Sequence, residues 1–268
     1  MNHRTKRISL IFMVALLVLT ACSTPPPVEP TQPPAPAEEP EPTAVPPTSP
    51  PEPTVEPSPE PTPTIEVTAT PENQLFRDDF TGELQPGWEW ENENPDLWTF
   101  TDDGFLQIMG EDNSLLNEQP QSNLLWRPLP EGDFIVTVHV VTQPLSNFQQ
   151  ATIYLYEDIE NYVAINRGYC DLCVDGGNAF YFEFKIGGEF GTYNSPTDAT
   201  DVYIRLVSEE NVISGYYATE PGNWERIGRY GGAYFEFTQV GIGVTNSDPF
   251  GSDDDLVGQF DYFEITRP

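Results

Sequence analysis

The sequence predicts an all-β protein: two antiparallel sheets packed as a jelly-roll sandwich, preceded by a signal peptide and a disordered Pro-rich linker. Three observations carry this. Apolar residues alternate with polar ones along many short runs, and no window of twelve shows a 3.6-residue stripe. Gly, Pro, Asn and Asp cluster between the runs. All five Trp and all twelve Tyr lie beyond residue 86, whereas nineteen of the 29 Pro fall between Pro25 and Pro71. One region can therefore build a core and one cannot.

The N-terminus reads as a targeting device. Arg4, Lys6 and Arg7 precede an apolar run from Ile8 to Leu19, broken only by Ser9. The run is too short for an ordinary membrane span and suits a signal peptide. It ends in Leu19-Thr20-Ala21-Cys22, which resembles the bacterial lipoprotein box. The resemblance implies cleavage after Ala21 and acylation of Cys22, with firm attachment by two or three acyl chains (palmitate or similar). Ser23 does not carry the inner-membrane retention signal that Asp would. The expected location is the cell envelope, on the outer leaflet or outer membrane, with the domain outside the cytoplasm.

Residues 23–73 hold nine Glu, no Lys or Arg and no aromatic residue. Such a segment cannot offset the entropy of ordering. Proline holds it extended, and its 51 residues reach at most roughly 160 Å at about 3.1 Å each. It reads as a stalk, so the chain divides into a leader (1–21), a lipidated Cys22 with stalk (22–73) and a folded domain (74–268).

The formal charge is -32, from 43 acids and 11 bases. Residues 74–268 hold 34 of the acids and 8 of the bases, so the domain is near -26. Nucleic acid, polyanionic substrates and anionic lipid surfaces are repelled by such a field, and the membrane is met through the anchor alone.

Strands are expected where the alternation is cleanest: Phe134 to Val141, Ile153 to Tyr156, Phe180 to Phe184, Gln239 to Val244, and Phe260 to Ile265. Turns are expected at Asp102-Asp103-Gly104, Pro130-Glu131-Gly132, Asp158 to Asn161, Gly176-Gly177-Asn178, Gly187-Gly188 and Glu220-Pro221-Gly222-Asn223. A dozen or more strands in 195 residues require two packed sheets.

A series of these elements resembles the concanavalin A-like domain at the C-terminus of bacterial β-xylosidases. The opening Leu75-Phe76-Arg77-Asp78-Asp79-Phe80 is followed by Gly87-Trp88, Trp98 and Gly104-Phe105-Leu106. Then come Asp133-Phe134, the run Tyr156 to Val163, the arginine-bearing Val202 to Leu206, Tyr216-Tyr217 with Gly222 and Trp224, and Gln259 to Phe263. Their order matches the family across the whole domain. The resemblance implies lectin/glucanase-type sheets and association with glycans, and it carries over no catalytic residues.

The chemistry of sites is thinner. A glycosidase needs two carboxylates about 5 to 9.5 Å apart. Glu89-Trp90-Glu91 alternates but sits in a short Trp-flanked segment, and Glu183 stands without a partner at the required spacing. His139 is the one histidine after the leader, and no nucleophile, phosphate-loop or zinc motif accompanies it. On this basis the chain is expected not to be an enzyme. It is expected to bind a neutral polysaccharide or glycoconjugate as a monomer. An envelope protein-interaction module and a glycoside hydrolase stand as the alternatives. The candidate ligand-binding residues are Trp88, Trp90 and Tyr216, because sugar C–H faces stack on aromatic rings. Trp98 and Trp224 read as structural.

Two further clusters are singled out. Cys170 and Cys173 are expected to form a disulfide, which requires a turn at Asp171-Leu172 because an extended strand holds residues i and i+3 too far apart. Redox and metal roles lack the flanking residues they need. The acidic loop from Ser247 to Asp255 and the pair of first and last strands offer carboxylates for a structural Ca²⁺, the one cofactor these residues suit. The candidates are Asp79, Asp253, Asp255 and Asp261, set against a plain solvated turn.

Overall fold

The computed structural model describes residues 72–231, 236–246, 252 and 254–268. The leader, Cys22, the stalk to residue 71 and Asp253 lie outside the described residues. Among the described residues no helix is long and apolar enough to cross a membrane.

Among the described residues fifteen strands build two antiparallel sheets. In chain order they are β1 (Gln74–Asp78), β2 (Glu89–Glu91), β3 (Trp98–Phe100), β4 (Leu106–Met109), β5 (Leu124–Pro128), β6 (Phe134–Thr142), β7 (Gln150–Asp158), β8 (Asn161–Tyr169), β9 (Asn178–Ile186), β10 (Glu189–Pro196), β11 (Asp201–Glu209), β12 (Val212–Ala218), β13 (Glu225–Gly231), β14 (Gln239–Thr245) and β15 (Val257–Thr266). The first sheet has the order β13-β12-β11-β6-β15-β4-β3, with β1 also paired to β15. The second has the order β10-β9-β8-β7-β14-β5-β2. The only helix among the described residues is a 3₁₀ turn, Pro95–Leu97, capped by the Asn94 side chain.

The alternation read from the sequence explains the core. Val136, Val138 and Val140 of β6 and Phe260 and Phe263 of β15 in the first sheet pack against Ile153 and Leu155 of β7 and Phe180 and Phe182 of β9 in the second, in one cluster between the sheets. Burial of each such side chain contributes about 1.5–3 kcal/mol. Hairpins close where the chain accepts positive φ. Gly187-Gly188 joins β9 to β10 at φ 60° and 79°, and Glu210-Asn211 joins β11 to β12 at 49° and 62°. The first and last strands pair, from Gln74 opposite Thr266 to Asp78 opposite Phe263.

The second sheet also buries part of its outward face. Leu124 and Trp126 of β5, Tyr154 of β7, and Tyr162 and Ala164 of β8 pack with Leu115, delivered by the 111–123 connection. This explains the glycines of β14. A Cβ on Gly241 would lie 2.3 Å from the Trp126 ring, and one on Gly243 would lie 2.7 Å from Leu124. Those strand positions are left empty so that the large side chains of neighbouring strands can lie across them.

Candidate functional site

The outward face of the second sheet centres on β9. Its odd positions, Tyr181, Glu183 and Lys185, point away from the core that Phe180, Phe182 and Phe184 enter. Glu183 is half-buried among β7 and β8. Asn166 Nδ2 donates to its Oε2 at 3.0 Å, and Gln150 Nε2 donates to both oxygens at 3.3 and 3.4 Å. Burial pushes the Glu183 carboxyl up to about 7, and the two amide donors pull it only part of the way back.

The neighbouring tyrosines are buried. Tyr162 is raised by burial and by Glu183, and Tyr154 is pushed up to about 12 by burial. The Tyr154 hydroxyl donates to Gln121 Oε1 at 3.2 Å. Two buried polar atoms, Gln121 Nε2 and Asn166 Oδ1, have no hydrogen-bond partner among the described residues. A Cβ on Gly168 would come within 2.8 Å of Asn166 Oδ1, and one on Gly243 within 2.8 Å of Gln121 Nε2. Glycine thus keeps the space beside both orphaned atoms free.

A second carboxylate reaches this face from elsewhere in the chain. Lys185, two residues beyond Glu183, is 5% exposed and meets Glu118 Oε1 at 3.0 Å and Glu160 Oε1 at 3.6 Å. Two residues of strand span about 6.7 Å. Glu183 and the ion-paired Lys185 therefore lie one strand repeat apart on the same face, and Glu118 joins that face through Lys185. Farther along the face, Trp126 Nε1 donates to Glu91 Oε2 at 2.6 Å, and the Trp126 ring stacks on Tyr156 with centroids 5.1 Å apart.

The residues singled out in the sequence fall elsewhere. Trp88 packs edge-on against Phe76 and Phe263, and its Nε1 donates to Asp78 Oδ2 at 2.9 Å. Trp90 lies against Trp98 with centroids 4.8 Å apart. Both rings border the main core instead of forming an open platform. Tyr216 is half-exposed on the outward face of the first sheet, on the opposite side of the sandwich from Glu183. Trp224 is half-buried beneath the Arg205 guanidinium, 3.7 Å from the ring centre.

The candidate metal ligands are dispersed. Asp79 pairs with Arg77, whose Nη2 is 2.6 Å away. Asp261 meets His139 Nδ1 at 2.8 Å, while Asp201 meets Nε2 at 2.6 Å and Tyr203 stacks on the imidazole. Asp255 lines a cleft with Glu111 and Asp112, and Asp253 is outside the described residues. Among the described residues no group of three His, Cys, Asp or Glu side chains is arranged to hold a metal. Cys170 and Cys173 are joined by a disulfide, with Cα atoms 5.2 Å apart across a turn in which Cys173 N donates to Cys170 O. Sequence reasoning noted Glu183 but missed its neighbourhood. Glu118 is distant in sequence and reaches the site only through Lys185 of the folded sheet.

The model of the β-xylosidase C-terminal concanavalin A-like domain matches residues 77–266. No curated protein matches the chain. Among solved structures, the GH43 protein BlXynB of Bacillus licheniformis is similar with a TM-score of 0.63 at 20% identity, over 72% of this chain and 39% of that one. The xylan β-1,4-xylosidase of Bacillus halodurans aligns with a TM-score of 0.59 at 19% identity, over 78% of this chain and 41% of that one. A glycosyl hydrolase family protein of Mycobacterium fortuitum aligns with a TM-score of 0.52 at 12% identity, over 72% of this chain and 99% of that one. This chain thus spans about two fifths of the length of the two Bacillus proteins. These neighbours overturn the expectation of a non-catalytic neutral-glycan binder that is not an enzyme, because they are glycoside hydrolases. That expectation rested on finding no carboxylate pair along one strand. The matched span, covering most of the chain and nearly all of the folded domain, shows that this protein belongs to the β-xylosidase C-terminal concanavalin A-like domain family.

Proposed function

We propose that the chain acts in glycoside hydrolysis, with the outward face of the second sheet as its working surface and Glu183 as the proton-transferring group. The observation that carries this is the Glu183 carboxyl, raised to about 7 by burial on a face with two unsatisfied polar atoms. A general acid works best when its pKa lies near the working pH. In this reading Glu183 gives its proton to the glycosidic oxygen as the bond to the anomeric carbon breaks. Water then adds at that carbon and yields its proton to a carboxylate, for which Glu118 beside Lys185 is the candidate. The glycoside hydrolase neighbours support the reaction class, and the name of the Bacillus halodurans enzyme suggests xylosides as the first substrates to try.

The Leu19-Thr20-Ala21-Cys22 box supports a lipid anchor at Cys22, which would hold this activity at the envelope surface on a Pro-rich stalk. The test of the reaction is release of the aryl group from aryl β-xylosides and other aryl glycosides by the full chain. Turnover of at least one is expected. Failure on every glycoside offered would overturn the reading.

A further inference from the structure

The outward face of the first sheet holds a site of the opposite chemistry. Strand β13 carries Arg226 and Arg229, three residues apart, which a regular strand would send to opposite faces. The pairing with β12 shows why they are not. Ser214 is opposite Arg229, Gly215 is opposite Gly228, and Tyr216 is opposite Arg226, so Ile227 is an extra residue in a bulge. Ile227 packs into the core, and both arginines turn outward. With Tyr216 and Ser214 they line a depression of about 240 Å³.

Both guanidiniums are exposed, and neither meets a carboxylate within ion-pair distance among the described residues. Glu209 and Glu210 line the same depression from β11 and its turn. Arg205, opposite Tyr216 across the β11–β12 pair, adds a third positive charge beside it. In a domain with 34 acids and 8 bases, three of the eight bases stand on adjoining strands, and the two arginines of the depression balance Glu209 and Glu210 there.

We infer that this depression binds a carboxylated sugar, a uronic acid unit, with Arg226 and Arg229 on the carboxylate and the Tyr216 ring against the sugar face. Paired guanidiniums match the two oxygens of a carboxylate, and a half-exposed tyrosine offers a stacking surface. The volume suits one monosaccharide and is below the roughly 300–1,000 Å³ of larger ligand pockets. The inference rests on the glycoside reading only in taking a sugar as the ligand. It adds a class of substrate, one bearing uronic acid substituents, that the net charge of the chain by itself would exclude.

The test is calorimetric titration of the full chain with methyl β-D-glucuronide, methyl β-D-glucoside and acetate, at low and high salt. Binding is read without turnover, so its outcome is separate from that of the hydrolysis assay. The glucuronide should bind at least tenfold more tightly than either the glucoside or acetate, and this margin should shrink as salt rises. The variant R226Q/R229Q should lose the preference with an unchanged melting temperature, and each single variant should lose part of it. The inference is overturned by equal binding of the two glycosides, by binding of neither, by acetate matching the glucuronide, or by a preference that survives in the double variant.

Discussion

The two outward faces of the sandwich use charge in different ways. On the second sheet Lys185 is almost fully buried and committed to Glu118 and Glu160, while Glu183 is driven toward its neutral form by burial. On the first sheet Arg226 and Arg229 are exposed and uncommitted, and Arg205 lies on Trp224. The same fold thus makes one face that buries its charged groups and another that leaves two arginines exposed. What separates them is cover. The 111–123 connection brings Leu115, Glu118 and Gln121 onto the second sheet's face.

Truncating one tryptophan on each face should break the symmetry most plainly. Trp126 is 2% exposed, stacked on Tyr156 and bonded to Glu91. Trp126→Ala should cost about 3–5 kcal/mol. Trp224→Ala removes a half-exposed ring stacked on one guanidinium and should cost about 1 kcal/mol. Urea unfolding of both variants compares them directly, and equal losses would mean that the faces are equally covered.

A smaller effect follows from Glu183. Its carboxyl is raised from 4.5 to about 7 in the folded state. Below about pH 4.5 the group is protonated in both folded and unfolded chains. Between 4.5 and 7 the folded chain keeps a proton that the unfolded chain releases, so stability from this group falls as pH rises and levels off above 7. The half-buried position suggests a loss of about 2 kcal/mol across that window. E183Q should flatten this part of the stability curve, as urea midpoints taken from pH 4 to 8 would reveal. A curve identical to that of the unaltered chain would mean that Glu183 is not the titrating group.

The smallest effect is expected on the open face. R226Q and R229Q touch neither a core contact nor an ion pair among the described residues, so each should change stability by less than about 0.5 kcal/mol. A thermal melt showing a larger loss would mean that the arginines hold the β12–β13 edge together.

The sequence made the sheets legible because period-two alternation is local. Val136, Val138 and Val140 announce a strand without knowledge of its partner. The pairing of the first and last strands was accessible from the family resemblance. The sites were not legible in the same way, because their neighbours are distant in sequence. Asp201 and Asp261 reach His139 across 62 and 122 residues. Glu118 reaches Lys185 across 67. The bulge at Ile227 reverses what alternation predicts for Arg229, and no residue type marks it. Trp88 and Trp90 share a strand face and read as stacking candidates for a sugar, yet their rings close against Phe263 and Trp98.

We propose Glu183 as the proton donor to the glycosidic oxygen. Its most direct test is the pH dependence of aryl glycoside hydrolysis by the full chain and by E183Q. The rate for the unaltered chain should fall as pH rises through about 7, where the donor loses its proton. E183Q keeps the shape of the side chain and should lose about 10²–10⁴-fold of the rate, together with that limb of the profile. An E183Q variant with an unaltered rate and profile would contradict the account.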